Sequence, residues 1–183
     1  IRLVADEIAQ EAVRVARGLS YHDHARLDAT AVDLKLGVRK PTSEEVERAE
    51  RIVAKAKGPE MRGLEEVYAR ETIKMKDYPD EVDVTVQALR VGELGIVSIP
   101  CEVFVEIGLA IKAQSPFKPT FTIELANGYN GYLPTRPQHE LGGYETWRAR
   151  SSYLAVDAAE KIQAAALEQL KRLHARTAAP TSK

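Results

Sequence analysis

The sequence of 183 residues contains a single cysteine, Cys101. One cysteine excludes an intramolecular disulfide framework and a cysteine-rich zinc module. It leaves the cellular compartment open, because exported proteins also occur without disulfides. No histidine is placed to activate the thiol, so the sequence predicts a small buried residue at this position rather than a nucleophile.

The sequence also lacks an excess of charge of either sign. Its 26 basic and 27 acidic residues are mixed along the chain and give a net charge of -1. This balance provides no electrostatic reason to expect nucleic acid or an anionic membrane as a partner. There is no apolar run near the roughly 20 residues that span a bilayer, and no signal-peptide pattern at the start. With 44% hydrophobic residues, one domain with a substantial core is expected.

The chain begins without a helix-capping signal. Residue 1 is Ile1, and an apolar helical pattern starts at once and ends near Gly18. We interpret this start as a cut: either a longer protein is truncated upstream or the sequence covers only part of it. The polar connection that follows contains His22, Asp23 and His24. Because no third ligand is nearby, a solvated turn is favoured over a metal site.

The remaining pattern predicts an α/β protein with a mixed sheet and flanking helices. Strands are predicted at residues 29–38, 82–87 and 94–99, the last two as a hairpin around Gly92-Glu93. Helices are predicted at about 43–56, 64–76 and 156–174. The strand at 94–99 is apolar nearly throughout, which predicts a central strand buried on both faces.

A strand–helix–strand unit near residues 94–126 is the most informative geometry in the sequence. An apolar strand ends at Ile99, a turn through Glu102 follows, and an apolar helix is predicted from Val103 to Gln114. The helix is apolar almost all round and should be largely buried. The next strand, at 120–126, should be parallel to the first, forming a crossover. Glu102 and the segment after residue 126 should then meet at one edge of the sheet, where ligands bind in open α/β sheets.

Residues 127–145, here called the tyrosine loop, follow that second strand. Four glycines, two prolines and two asparagines predict neither a regular helix nor a regular strand. The loop also carries three tyrosines, one histidine and two glutamates. A long segment of this composition favours a binding or catalytic loop over a packed surface loop. Taken without any resemblance, Glu102 is favoured as a cap on the helix that follows it.

Two motifs at this predicted edge resemble those of the neutral, non-lysosomal ceramidases. That family carries Pro-Gly-Glu before an apolar helix, then Asn-x-Tyr-x-x-Tyr-x-x-Thr, and then Gln-x-Tyr-Glu. The corresponding residues here are Pro100-Cys101-Glu102, Asn127-x-Tyr129-x-x-Tyr132-x-x-Thr135 and Tyr144-Glu145. The spacing matches without a gap from residue 127 to residue 145, and the resemblance is close over about residues 82–153.

The resemblance implies a zinc-dependent amidase that hydrolyses the N-acyl bond of ceramide to sphingosine and a fatty acid. It implies that Glu102 and Tyr132 are zinc ligands and that Tyr132 and Tyr144 are catalytic, with Tyr144 over the scissile amide. It further implies that Asn127 and Tyr129 bind substrate. The two histidine ligands of the family lie earlier in its domain, so the missing N-terminal half of the domain is an expected partner.

On this resemblance, residues 1–176 form the C-terminal portion of a ceramidase-like amidase domain that is incomplete by itself, and residues 177–183 form a disordered tail. A lipid substrate implies access from a membrane surface, and the family implies a secreted or periplasmic location. Apolar surface exposed by an incomplete domain favours association, so homo-oligomers stay open.

The sequence also departs from the family pattern. Cys101 replaces the usual Gly, residues 137–139 stand where the family has Glu-Glu-Tyr, and Gly142 replaces Gln. These changes spare the two implied ligands but keep a related N-acyl substrate open beside ceramide. A non-catalytic binding module, or a scaffold segment that uses the tyrosine loop, is the alternative from a different functional class.

Overall fold

The computed structural model describes residues 1–56, 58 and 60–176. The tail predicted at 177–183 lies outside these residues. The elements in chain order are α1 Arg2–Arg17, β1 Leu27–Gly37, α2 Ser43–Ala54, α3 Leu64–Met75, β2 Glu81–Val91, β3 Leu94–Ser98, β4 Glu102–Val103, α4 Val105–Gln114, β5 Thr120–Ile123, β6 Tyr132–Leu133, α5 Arg136–Leu141, a 3-10 turn Tyr144–Thr146 and α6 Ala158–Ala175. Among the described helices, none combines the length and apolar character needed to cross a bilayer.

The main sheet is mixed and has the strand order β1-β2-β3-β5. β1 and β2 are antiparallel from the Leu27–Val91 pair to the Gly37–Glu81 pair, and β2 and β3 form the predicted hairpin. β3 and β5 are parallel and are connected through α4, which confirms the predicted crossover. The fold class is therefore the mixed α/β sheet that the sequence predicts.

Helix boundaries follow the capping signals. α1 ends at Arg17, with Gly18 as its C-cap, as predicted. At the start of α2, Thr42 Oγ1 accepts from Glu45 N at 3.3 Å, and Glu45 Oε2 accepts from Thr42 N at 2.8 Å. This reciprocal capping box satisfies two backbone donors that the helix itself cannot pair.

The hydrophobic core lies between one face of the main sheet and helices α4 and α6. Val97, Ile107 and Leu170 are buried there. A Cβ atom added at Gly95 would lie 2.9 Å from Phe117 Cβ and 3.1 Å from Leu170 Cδ2. The absence of a side chain at Gly95 therefore allows β3 and α6 to approach closely.

The opposite face of the sheet is exposed in the described chain, so the prediction that β3 is buried on both faces is wrong. Leu89, Ile96 and Phe121 are cross-strand neighbours on this face. Leu89 is 37% exposed and Phe121 is 39% exposed. The apolar run of β3 thus reflects both a covered face and an apolar face that the described residues leave uncovered.

Helix α4 is shorter and less buried than predicted. It begins at Val105, two residues late, because Glu102–Val103 forms β4 and pairs with β6. Ile107 and Ile111 are buried, whereas Val105 is 69% exposed and Leu109 is 58% exposed. A helix that is apolar all round requires cover on every side, and β5 and α6 contact only part of it.

Candidate functional site

The candidate site lies where β4 and β6 pair, beyond the carboxyl ends of β3 and β5. Glu102 and Tyr132 are in-register neighbours on this parallel pair, so their side chains leave the same face. Glu102 N donates to Gly131 O at 2.9 Å, and Tyr132 N donates to Ser151 O at 2.8 Å. Backbone hydrogen bonds thereby place a carboxylate beside a phenol at the edge that the crossover predicts.

Two predictions for this region are wrong. Glu102 does not cap α4, since Phe104 is the residue before the helix and Glu106 is the acid in its first turn. The tyrosine loop contains regular structure, namely β6, α5 and the 3-10 turn. Pro137 is compatible with α5 because it lies in the first turn, where its missing N–H has no helical acceptor. Gly142 ends the helix with a φ of +83°, which glycine adopts without strain.

Two tyrosines contact Glu102 or its neighbour Tyr132. Tyr129 Oη donates to Glu102 Oε1 at 3.1 Å. The rings of Tyr132 and Tyr144 meet edge to face, with centroids 5.6 Å apart and an interplanar angle of 86°. Tyr129 and Tyr144 are each 55% exposed. The predicted residues Glu102, Tyr129, Tyr132 and Tyr144 therefore form one cluster that is open to solvent.

The surroundings of Tyr132 favour the protonated form of its phenol. The neighbouring Tyr144 raises the pKa of Tyr132 above the ordinary value, and partial burial and the negative charge of Glu102 act in the same direction. Burial also raises the pKa of Tyr129, and its hydrogen bond to Glu102 adds to the effect. The cluster by itself thus favours the neutral phenols of Tyr129 and Tyr132. A phenolate at Tyr132 requires a cation close by, whose charge acts in the opposite direction.

The side chain of Asn127 forms hydrogen bonds with other residues of the chain. Its φ of 65° lies in the left-handed region, which Asn tolerates better than most residues. Its Nδ2 donates to Gln87 Oε1 at 2.5 Å and to Ser98 Oγ at 3.0 Å. Asn130 N and Nδ2 both donate to Pro100 O, at 2.8 Å and 3.1 Å. These bonds attach the start of the tyrosine loop to the sheet, and substrate contact by Asn127 stays a prediction.

Arg39 holds the segment that carries Tyr144, and the sequence did not single it out. Its guanidinium donates to the carbonyl oxygens of Leu154, Thr146 and Ser152 at 2.9, 2.7 and 2.7 Å. Burial lowers the pKa of Arg39 from its ordinary value. The three acceptors lie 107 to 115 positions later in the chain. No local sequence signal could have revealed them, because the contacts exist only after folding.

An ion pair between Glu71 and Arg150 lines the cavity next to Tyr129, and the sequence did not single out this pair either. Arg150 Nε and Nη2 donate to Glu71 Oε2 and Oε1 at 2.7 Å and 2.9 Å. The hydrogen bonds from Arg150 lower the pKa of Glu71. Glu71, Arg150, Tyr68 and Tyr129 line a cavity of about 370 Å³ beside the cluster. Space for a ligand is therefore present next to Tyr129.

The buried thiol and the histidine-rich turn agree with their predictions. Cys101 is fully buried, and burial raises its pKa to about 12, which makes it unreactive as a nucleophile. His22, Asp23 and His24 are exposed in the connection between α1 and β1. Neither segment contributes to the cluster around Glu102.

The donor set fits part of a zinc centre. The Glu102 carboxylate and the Tyr132 phenol offer two oxygen atoms from neighbouring positions on β4 and β6. Within residues 1–56, 58 and 60–176, no group of three or more His, Cys, Asp or Glu residues could hold a metal. Zinc sites use about four ligands, so the described chain offers half of a set.

A substitution at Gly131, between Tyr129 and Tyr132, tests how closely the backbone segments of the site approach each other. A Cβ atom at this position would lie 2.4 Å from Ser151 O, and the φ of +75° disfavours any other residue. We expect Gly131→Ala to lower the free energy of unfolding by about 2–4 kcal/mol, because the clash and the backbone strain add. Urea denaturation of the chain measures this change.

Gly108→Ala is the matched control for that substitution. Gly108 lies within α4, and an added Cβ atom would meet nothing within 4 Å. Alanine favours the helix there, so we expect a gain of about 0.5–1 kcal/mol. Equal effects of the two substitutions would contradict a close backbone approach at Gly131.

The fold of this chain, a mixed sheet with a parallel crossover, is similar to part of a solved neutral ceramidase. Neutral ceramidase from Pseudomonas aeruginosa is similar with a TM-score of 0.53 and 20% identity, over 86% of this chain and 30% of that chain. A ceramidase complexed with C2 is similar with a TM-score of 0.45 and 22% identity, over 60% of this chain and 18% of that chain. No protein-family model and no curated protein matches the sequence. The chain therefore spans about 30% of the length of the Pseudomonas aeruginosa protein, and the similarity establishes the fold.

Proposed function

We propose that this chain supplies part of the active site of a zinc-dependent amidohydrolase. The enzyme cleaves the N-acyl amide bond of a ceramide-like lipid and releases a fatty acid and a sphingosine-like amine. The observation that carries the proposal is the in-register pairing of Glu102 with Tyr132, with the ring of Tyr144 against Tyr132. The fold shared with a neutral ceramidase supports the same assignment.

Three residues of the cluster, Glu102, Tyr132 and Tyr144, have a chemical role in this proposal. Glu102 and Tyr132 each supply one oxygen ligand to zinc. Bound zinc polarises the amide carbonyl and lowers the pKa of a bound water to about 7. Tyr144 donates a hydrogen bond to the negative charge that develops on the carbonyl oxygen. Its half-exposed ring leaves room for a substrate to approach from solvent.

The remaining zinc ligands come, in this proposal, from the rest of the domain, which packs against α4 and β5. A cavity of about 330 Å³ lies along these two elements and is lined by Val105, Leu109 and Phe121 among other residues. All three side chains are exposed in the described chain. Val103, which follows Glu102 in β4, lines the same cavity. A docking segment at this place therefore contacts β4, the strand that carries Glu102.

Zinc content and amide hydrolysis of the complete protein test the proposal. We expect the purified protein to contain zinc and to release fatty acid from an N-acyl sphingosine. Chelation should abolish the activity and added zinc should restore it, because the water is activated only at the metal. A panel of N-acyl amines then separates ceramide from related substrates. A complete protein that binds the lipid without zinc and without turnover would favour the non-catalytic binding module instead.

A further inference from the structure

The hydroxyl of Tyr129 is engaged with Glu102 rather than directed freely into solvent. Its Oη donates to Glu102 Oε1 at 3.1 Å. The Tyr129 ring is 55% exposed and lines the cavity of about 370 Å³ that also contains Tyr68 and Glu71. The polar end of Tyr129 therefore contacts a residue of the candidate metal site, while its ring borders the adjoining space.

Backbone and side-chain bonds on both sides of Tyr129 fix its distance from Glu102. On one side, Asn127 Nδ2 is bonded to Gln87 and Ser98 of the main sheet. On the other side, Asn130 N and Nδ2 donate to Pro100 O, two residues before Glu102. The Tyr129 backbone and the Glu102 backbone are thus tied to the same strand end, so their hydrogen bond requires little further ordering of the chain.

A hydrogen bond to one oxygen of a carboxylate limits how that carboxylate can turn. An ionised carboxylate has two oxygens and about four lone-pair positions, and Tyr129 uses one of them on Oε1. The other positions remain available on the face that Glu102 shares with Tyr132. Hydrogen-bond donors of this kind typically orient metal-binding carboxylates.

We propose that Tyr129 is a positioning residue that orients the Glu102 carboxylate toward the metal. This role differs from the substrate contact that the resemblance implies for Tyr129. The inference rests on the proposed function, because it takes Glu102 as a zinc ligand. It adds a requirement of its own, namely that loss of one hydroxyl outside the ligand set weakens zinc binding.

The test is Tyr129→Phe in the complete protein, with zinc affinity measured by competition with a chelator. We expect the affinity for zinc to fall by about 10- to 100-fold, because the ring is retained and only the donor is lost. At saturating zinc, kcat should fall while KM for the N-acyl amide changes little. Tyr21→Phe is the matched control, because Tyr21 is 90% exposed and lies far in sequence from the cluster. It should leave zinc affinity, kcat and KM unchanged.

Three results would overturn the inference in distinguishable ways. Wild-type zinc affinity in Tyr129→Phe, with a complete protein that does bind zinc, would remove the positioning role and leave the proposed function intact. A raised KM with unchanged zinc affinity would assign Tyr129 to the substrate. A complete wild-type protein that takes up no zinc would overturn the proposed function, and the positioning role with it.

Discussion

Tyr132→Phe in the complete protein should reduce amide hydrolysis by about 100-fold or more and should reduce zinc content. The substitution removes the phenolic oxygen that we assign as a ligand. It keeps the ring, whose edge-to-face contact with Tyr144 has centroids 5.6 Å apart. The backbone pairing of Tyr132 with Glu102 is also unaffected. We therefore expect the free energy of unfolding to change by no more than about 0.5 kcal/mol.

Tyr144→Phe is the informative comparison for that experiment. Tyr144 is proposed to donate to the oxyanion and not to bind the metal, so its removal should lower kcat while zinc content stays at the wild-type level. Zinc analysis, steady-state kinetics and thermal unfolding on both variants distinguish the two roles. Parallel losses of stability and activity in Tyr132→Phe would instead identify a tyrosine that only packs the loop.

The chain of 183 residues by itself should bind zinc weakly and should not hydrolyse an N-acyl sphingosine. Its described residues offer two oxygen ligands at the cluster and no group of three His, Cys, Asp or Glu residues. Affinity for zinc arises from several ligands held together, and half a set loses most of it. The exposed apolar side chains of α4 and of the open sheet face should also make the isolated chain associate.

Adding the proposed N-terminal half of the domain in trans should restore both zinc binding and turnover. Light scattering with size-exclusion chromatography should then show that association of the chain with itself is replaced by a one-to-one complex. Val105→Glu, on the exposed face of α4, should block this rescue, because a charge there cannot be buried without a partner. Submicromolar zinc binding and turnover by the isolated chain would contradict the ligand assignment.

Local signals in the sequence determined much of the secondary structure. The capping box at Thr42 and Glu45 gives the start of α2, and the alternation in β2 gives the hairpin with β3. Such signals are predictive because caps and side-chain alternation act between residues that are close in the chain. The crossover follows from the same local elements, and with it the meeting of Glu102 with the tyrosine loop.

Burial was the first property that local patterns could not decide. The apolar sequences of β3 and α4 predict cover on all sides, yet Ile96 is only partly buried and Leu109 is exposed in the described chain. Apolar character favours the burial of a side chain, but it does not specify which part of a protein covers that side chain. Only the tertiary structure showed that this chain covers one side of each element.

The sequence by itself determined the α/β class, the parallel crossover and the edge at which Glu102, Tyr132 and Tyr144 meet. The tertiary structure alone decided how that edge is held. β4 delays the start of the predicted helix by two residues because Glu102–Val103 finds a parallel partner in Tyr132–Leu133. Arg39 supports the segment of Tyr144 through carbonyls 107 to 115 positions away. Pairings across such distances depend on how the elements pack, and no local pattern of residue types encodes them.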